Sequence, residues 1–462
     1  MGEFGYSTST TSGGVGVAER RLPGVFDELR PPLDDGDAVV EADLCLECGG
    51  PYAPAPCAVA CPASIDVPGF ISAIAAGDTA RAARLIFAEN LLGGSCARVC
   101  PVEELCEGAC VLKAEGRRPV QVARLQRYAA DWGLARGLPV RDPSPVRPGR
   151  RGTVAVIGAG PTGLACAGEL AARGHRVVVY EARDDFGGLL RYAIAPYRQV
   201  REPLPAEARA IGALGVEFRL GEAIDTAEGL RAIEVSADAV FLGVGLGEDM
   251  DVRYPGDELR GVWQSLPFIE TMKMGLPPAL GDHVVVIGGG NTAIDVAREA
   301  RRLGASEVTI LYRRTEEEMP AYPHEVEEAR EEGVQFQWLT NPVRFLGGDR
   351  LTGIACQRMR LGAPDGSGRP RPEPVPDSEF TIRAETAVKA IGQRKRTDFL
   401  SWIDGLAGES LLSVDPETGQ TKNPKYFAAG DAVNGGATVV EAVRGAKIAA
   451  RGIDRYLRGR TA

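Results

Sequence analysis

The chain has 462 residues, about three times the ~150 of a typical domain, so several domains are expected. Hydrophobic residues make up 44% and charged residues 25%, a globular balance that excludes global disorder. The formal net charge of −10 argues against nucleic acid as a partner, and no apolar run approaches the ~18 residues that span a membrane.

Residues 1–40 read as a flexible leader. The start, MGEFGYSTSTTSGGVG, has an acidic residue at position 3 and no apolar core, so it is not a secretory signal, and a cytoplasmic protein is expected. Residues 41–150 form a cysteine-bearing helical domain with its linker. Eight of the ten cysteines fall between Cys45 and Cys110, leaving Cys166 and Cys356 apart. A disulfide scaffold needs an oxidising compartment; in a reducing one, clustered thiols more often hold metal. The spacing is Cys45-x2-Cys48-x8-Cys57-x3-Cys61-Pro62, then Cys96-x3-Cys100-Pro101-x4-Cys106-x3-Cys110. Zinc ribbons prefer paired C-x2-C knuckles, and only one is present, whereas thiols at Cys-Pro junctions suit iron–sulfur clusters. Between the two halves, Asp78 is an expected N-cap for the Ala- and Leu-rich stretch 80–88. Four prolines mark 137–152 as a linker.

From residue 153, short β-branched runs alternate with amphipathic helices, the pattern of βαβ units. Two segments share one layout, TVAVIGAGPTGLACAGELAARGHRVVVYE (153–181) and HVVVIGGGNTAIDVAREARRLGASEVTILYRR (283–314). They predict one dinucleotide domain over 151–280 and 391–462, with a second inserted over 281–390. In the first copy Gly158, Gly160 and Gly163 sit between strand and helix, where they permit a tight turn, backbone approach to a pyrophosphate and close helix packing. Glu181 closes the next strand, where an acidic side chain accepts ribose hydroxyls. Gly188 and Arg198 are further cofactor-binding candidates. In the second copy, Gly288, Gly290, Asn291 and Thr292 form the turn. Its next strand ends in Arg313-Arg314; guanidiniums there would bind a 2′-phosphate, so NADPH is expected over NADH. Gly430 and Asp431 end a late apolar strand, and a helix starting near Thr438 points a positive end where reduced flavin would carry charge.

On these motifs the chain resembles the flavoproteins of the glutamate synthase small-subunit type, which also form the electron-input half of dihydropyrimidine dehydrogenase. The likeness covers roughly residues 41–458. It implies an α/β fold: an N-terminal α-helical iron–sulfur domain followed by two Rossmann-like domains, the NADPH domain inserted in the FAD domain. It implies FAD at the Glu181 site and two [4Fe–4S] clusters. One would be held by Cys45, Cys48, Cys57 and Cys110, the other by Cys61, Cys100, Cys106 and Gln126, with Cys96 a nearby non-ligand. Eight residues separate Cys48 from Cys57 where relatives have four, so GGPYAPAP is an inserted loop. Disulfide reductases share the plan but need a cysteine pair beside the flavin, which is missing here. No nucleophile–base constellation accompanies the three histidines, so no catalytic side chain is assigned. The resemblance implies an NADPH-oxidising subunit that feeds a glutamate synthase large subunit or a flavin-binding pyrimidine-reducing subunit. An electron-bifurcating subunit serving ferredoxin, or a non-catalytic nucleotide-binding scaffold, are the alternatives.

Overall fold

The structure is a computed structural model that describes residues 27–50, 52–141, 152–366 and 368–460. Most of the expected leader and linker, and one residue of the inserted loop, therefore lie outside the described residues.

Seven helices build the cysteine domain: α1 (Asp35–Ala42), α2 (Pro56–Ala60), α3 (Val67–Ala75), α4 (Thr79–Glu89), α5 (Gly93–Val99), α6 (Val111–Ala114) and α7 (Val122–Ala135). Asp34, Asp66 and Asp78 cap α1, α3 and α4 by accepting from the backbone N–H of Asp37 (2.7 Å), Gly69 (3.1 Å) and Arg81 (2.9 Å). The leader does not run to residue 40. Helix α1 begins at Asp35, and the segment before it is tied down by two hydrogen bonds. Leu29 N–H donates to Tyr197 O (2.9 Å) and the Arg30 guanidinium to Cys100 O (2.8 Å). Buried Leu33 anchors it two residues before the helix.

The first dinucleotide unit comprises β1 (Thr153–Ile157), α8 (Pro161–Ala172), β2 (Arg176–Glu181), α9 (Leu189–Tyr192), α10 (Leu204–Gly212), β3 (Glu217–Leu220), α11 (Ala227–Ser236) and β4 (Ala239–Leu242). The chain then enters β5 (Val262–Gln264), α12 (Ser265–Lys273), β6 (His283–Ile287), α13 (Asn291–Arg302), β7 (Glu307–Leu311), α14 (Pro323–Glu331) and β8 (Val334–Gln337). A meander follows, β9 (Thr340–Gly347), β10 (Leu351–Pro364) and β11 (Pro370–Arg383), before β12 (Thr386–Lys389). It closes with α15 (Thr397–Leu400), β13 (Tyr426–Ala428), α16 (Asp431–Asn434) and α17 (Val439–Arg460).

Two parallel five-stranded sheets result, β13-β4-β1-β2-β3 and β5-β12-β6-β7-β8, beside an antiparallel sheet β11-β10-β9. Because β13 pairs β4, the second unit is an insertion between them, as expected. It starts earlier than residue 281: Ala387 of β12 pairs Val262 of β5, so β5 and α12 belong to the inserted sheet.

One hydrophobic core runs through the cysteine domain and the first unit, joining Phe70, Ile86 and Leu91 to Val154, Leu164, Val443 and Ile453. The inserted unit has cores of its own, around Phe268, Ile294 and Val308 and around Phe345 and Ile354. Polar pins reinforce the first junction. Lys447 of α17 donates to Ala63 O (2.9 Å) and Glu89 O (2.8 Å). On α10, fully buried Glu207 accepts from Ser95 N–H (2.9 Å) and Ser95 Oγ–H (2.5 Å) near the start of α5. Burial pushes the Glu207 carboxyl up to about 7. Among the described residues no helix is long and apolar enough to cross a membrane.

Candidate functional site

Both glycine turns open into one cavity of about 930 Å³. In the first, Gly158 has φ +99°, and a Cβ there would lie 2.5 Å from Gly243 O. At Gly163 a Cβ would lie 1.9 Å from Gly158 O, so helix α8 can approach β1 only with glycine here. Gly160 faces the cavity, its nearest neighbour in the Cβ direction being Gly188 Cα at 3.9 Å. The two bare backbones leave a slot, and Pro161 opens α8 beside it with its missing N–H at no cost. Glu181 is held facing the slot: its two oxygens accept from Ala159 N–H (2.7 Å) and Arg183 N–H (3.0 Å). Opposite, α17 begins at the cavity. Thr438 and Glu441 form a reciprocal cap, Thr438 Oγ–H donating to Glu441 (2.8 Å) and Glu441 N–H to Thr438 Oγ (3.2 Å). Gly430 has φ +71° and lies where a Cβ would strike Thr162 of α8; Asp431 lines the cavity and is pushed up by burial.

In the second turn a Cβ at Gly288 would lie 2.1 Å from Ala390 O, whereas Gly290 has nothing within 4 Å and opens on the cavity. Asn291 accepts from Tyr322 N–H (3.0 Å), and Thr292 is exposed on the cavity wall. The expected pair of phosphate-binding arginines divides. Arg313 is exposed on the cavity wall. Arg314 also lines the cavity, but its side chain is only 4% exposed and donates to Pro370 O (2.8 Å) and Asp365 (2.9 Å) at the β10–β11 turn. Arg198 also reaches the cavity, but carboxylates of the inserted unit neutralise it: Asp295 at 2.8 Å and Glu325 at 2.9 Å. It fastens the two units together more than it offers charge to a ligand. Beside it, Lys273 of α12 donates to Leu190 O (2.9 Å), Ile194 O (2.9 Å) and Gln199 O (2.7 Å) of the cavity-lining loop, and burial pushes its ammonium down to about 7.

The sequence reading missed two features of this wall. GVGLG (243–247) follows β4 and lines the cavity; glycines after an apolar strand were its visible signal. Val99 and Pro101, which flank Cys100, also line the cavity, bringing the cysteine domain to the flavin side. Their signal is long-range and absent from local sequence.

The thiols fall into two groups. Cys45, Cys48, Cys57 and Cys110 surround a small gap of about 30 Å³. Burial, then the Cys45 thiol, push Cys57 up to about 11. Cys61, Cys96, Cys100 and Cys106 form the other group. A hydrogen bond with Cys96, then burial, hold Cys100 well above the usual thiol range, while burial raises Cys61 and Cys106. Among the described residues no three His, Cys, Asp or Glu side chains are arranged for a single metal ion. Clustered, half-buried thiols whose thiolates would repel one another fit a cationic iron–sulfur core, which removes that penalty. Gln126 is buried on α7, its Nε2–H donating to Gly93 O (2.7 Å) at the head of the helix that ends at Cys100. That bond orients the amide and leaves Oε1 as its other polar atom.

Residues 23–138 match the family described as dihydropyrimidine dehydrogenase domain II, 4Fe-4S cluster, and residues 152–446 match pyridine nucleotide-disulphide oxidoreductase. The chain is 37% identical to the glutamate synthase [NADPH] small chain of Halomonas elongata, over 94% of this chain and 93% of the relative. It is 38% identical to the NADP(+)-dependent formate dehydrogenase subunit beta of Moorella thermoacetica, over 88% of this chain but only 60% of that longer relative. Among solved structures, Mycobacterium tuberculosis FprA in complex with NADPH superposes with a TM-score of 0.55 at 19% identity, over 68% of this chain and 87% of that one. At that identity the likeness is one of fold.

Proposed function

The chain belongs to the glutamate synthase small-chain family of pyridine nucleotide-disulphide oxidoreductases, and from that premise we propose the finer reading of an electron-input subunit serving a catalytic partner. It is an NADPH-dependent oxidoreductase whose cofactors are FAD and [4Fe–4S] clusters. The observation that carries the reading is the single cavity shared by both glycine turns, the N-terminus of α17 and the residues flanking Cys100. Bound FAD supplies a hydride acceptor that can return electrons singly, and the clusters carry single electrons.

The protein's own residues bind and orient. Gly158, Gly160, Gly163, Gly188 and Glu181 are the residues that would hold the FAD pyrophosphate and ribose, with Gly430, Asp431 and Thr438 beside the flavin ring. Gly288, Gly290, Asn291 and Thr292 would hold the NADPH pyrophosphate, and Arg313 its 2′-phosphate. Hydride transfer requires alignment of two rings more than a general acid or base, which agrees with a cavity built of glycines and capped helices. Cys45, Cys48, Cys57 and Cys110 would hold the outer cluster, and Cys61, Cys100, Cys106 and Gln126 the one nearer the flavin. The partner in the first reading is a glutamate synthase large subunit, supported by relatives of matching length. The placement of Gln126 favours a second, a flavin-binding pyrimidine-reducing subunit.

Anaerobic titration with NADPH tests the shared core: flavin absorbance should bleach and a cluster EPR signal should appear. Unchanged flavin would refute it. Glutamate formed from glutamine and 2-oxoglutarate on adding the large subunit selects the first partner, and a reduced pyrimidine with the other subunit selects the second.

A further inference from the structure

We propose that the flavin site is completed across a unit boundary: Lys273 of the inserted unit is the positioning residue that shapes the cavity-lining loop 189–199 of the first unit. The inference rests on the reading of FAD in the slot between Gly160 and Gly188, and it names a residue outside that slot on which flavin binding depends.

The loop starts at the slot. Gly187 and Gly188 take φ +114° and +51°, and Gly187 N–H donates to Ala159 O (2.7 Å). From there Leu189, Leu190, Tyr192, Ala193 and Ile194 line the cavity. Helix α9, a single turn, is the loop's one regular element, and a single turn does not hold its own shape. Lys273, at the end of α12, supplies the hold. Its ammonium has three N–H groups and the loop offers three carbonyls, Leu190 O (2.9 Å), Ile194 O (2.9 Å) and Gln199 O (2.7 Å). Every donor is used, and both ends of the loop are drawn to one point. Leu190 O is among the carbonyls that the last turn of α9 leaves without a partner in the helix. Glu270, one turn earlier on α12, pairs with Arg183, whose guanidinium lies 4.2 Å from the ring centroid of Tyr192 in the same loop. Further anchors come from the cysteine domain, with Leu29 N–H donating to Tyr197 O (2.9 Å) and Gln199 Nε2–H to Ser95 Oγ (3.2 Å). Neighbouring units thus hold the loop that lines the flavin side of the cavity.

Three carbonyls that converge on one ammonium repel each other once it is gone, and each must find a new donor, so the loop relaxes. A changed cavity face alters the seat of the flavin ring, and hydride transfer depends on that alignment. The acceptors are backbone groups that no substitution within the loop removes. Lys273 is the side chain through which the contact can be tested.

The test measures FAD affinity by fluorescence quenching on FAD-depleted, cluster-loaded protein, with the visible circular dichroism of the bound flavin as a signature of its surroundings. Lys273→Met should weaken FAD about tenfold or more, the scale of a lost charge-assisted contact, and should change the visible dichroism. Lys273→Gln, of similar volume to the Met variant, should lose less, because its amide restores two of the three donors. Val308→Ala, which opens a void in the insert's own core, should lower the melting temperature and leave FAD affinity unchanged. Lys273→Met with unchanged affinity and dichroism overturns the positioning role. So do equal losses in the Met and Gln variants, which would show that the donors are not used. A Val308→Ala variant that loses FAD as the Met variant does would also overturn it, since any loosening of the insert would then suffice. Gly160→Val checks the underlying reading separately: normal FAD binding by that variant would overturn the slot, and the role of Lys273 with it.

Discussion

Glu207 joins the flavin unit to the cysteine domain through a carboxyl that the protein interior holds near neutrality, and that gives the junction a pH dependence of calculable size. Burial raises this group from 4.5 to about 7, against the opposing bonds from Ser95. A raised carboxyl means that the folded state binds more protons than the unfolded one, so stability falls as pH rises. The contribution is fully present below 4.5 and is lost progressively as pH passes through 7. Between pH 5.5 and 8 the linkage integral for these two values amounts to about 2 kcal/mol. Glu207→Gln keeps an amide in contact with Ser95 and abolishes the titration. Wild type should therefore lose about 2 kcal/mol more than the variant over that range. Urea unfolding under anaerobic conditions, followed by loss of cluster absorbance, measures the difference at each pH. Parallel profiles for the two proteins would show that Glu207 does not titrate in this window and that the junction is pH-insensitive.

Two four-ligand sets imply about eight iron and eight acid-labile sulfide per chain after anaerobic reconstitution; stoichiometric zinc, or half the iron, would contradict the assignment. Gln126→Cys should keep that iron and shift the potential of one cluster only, whereas Gln126→Ala should make the same cluster labile, and an Ala variant with unchanged iron and EPR would return Cys96 as the fourth ligand. Gly290→Val should preserve fold and flavin content while blocking NADPH, because its side chain would enter the cavity and nothing else. Gly163→Ala should instead lower the melting temperature and flavin content together, since a Cβ at 1.9 Å from Gly158 O must force α8 from β1; normal flavin content would refute that packing argument.

The strand–turn–helix units were legible because their chemistry is local: apolar strand, glycines and capped helix lie within some thirty residues of each other, and Asp78 caps α4 for the same reason. The β10–β11 hairpin was not. Its second strand, PRPEPVPDSEFTIR, carries proline at 370, 372, 374 and 376, which reads as non-strand because proline cannot donate to a ladder. It is tolerated because β11 is an edge strand, so the missing N–H groups can face outward. Missing the hairpin also meant missing the fate of Arg314, whose partners lie some fifty residues away. The first thirty-odd residues showed a related blindness: Gly- and Ser-rich composition near the start obscured that Arg30 and Leu33 are anchors. Composition averages over a window and does not register single anchoring contacts.

The shared core between the cysteine domain and the flavin unit divides the molecule's mechanical labour. Tunnelling between redox centres falls steeply with separation, and a continuous packed interior that also includes α17 fixes that separation as firmly as any covalent brace. The inserted unit keeps separate cores and meets the rest through polar contacts, Arg198 with Asp295 and Glu325 and Lys273 with the 190–199 loop. Donor binding and single-electron conduction thereby rest on separate interiors, one in the insert and one shared by the flavin unit and the cysteine domain. The same partition makes the insert, from β5 to β12, an exchangeable cartridge for redesigning the protein's choice of reductant.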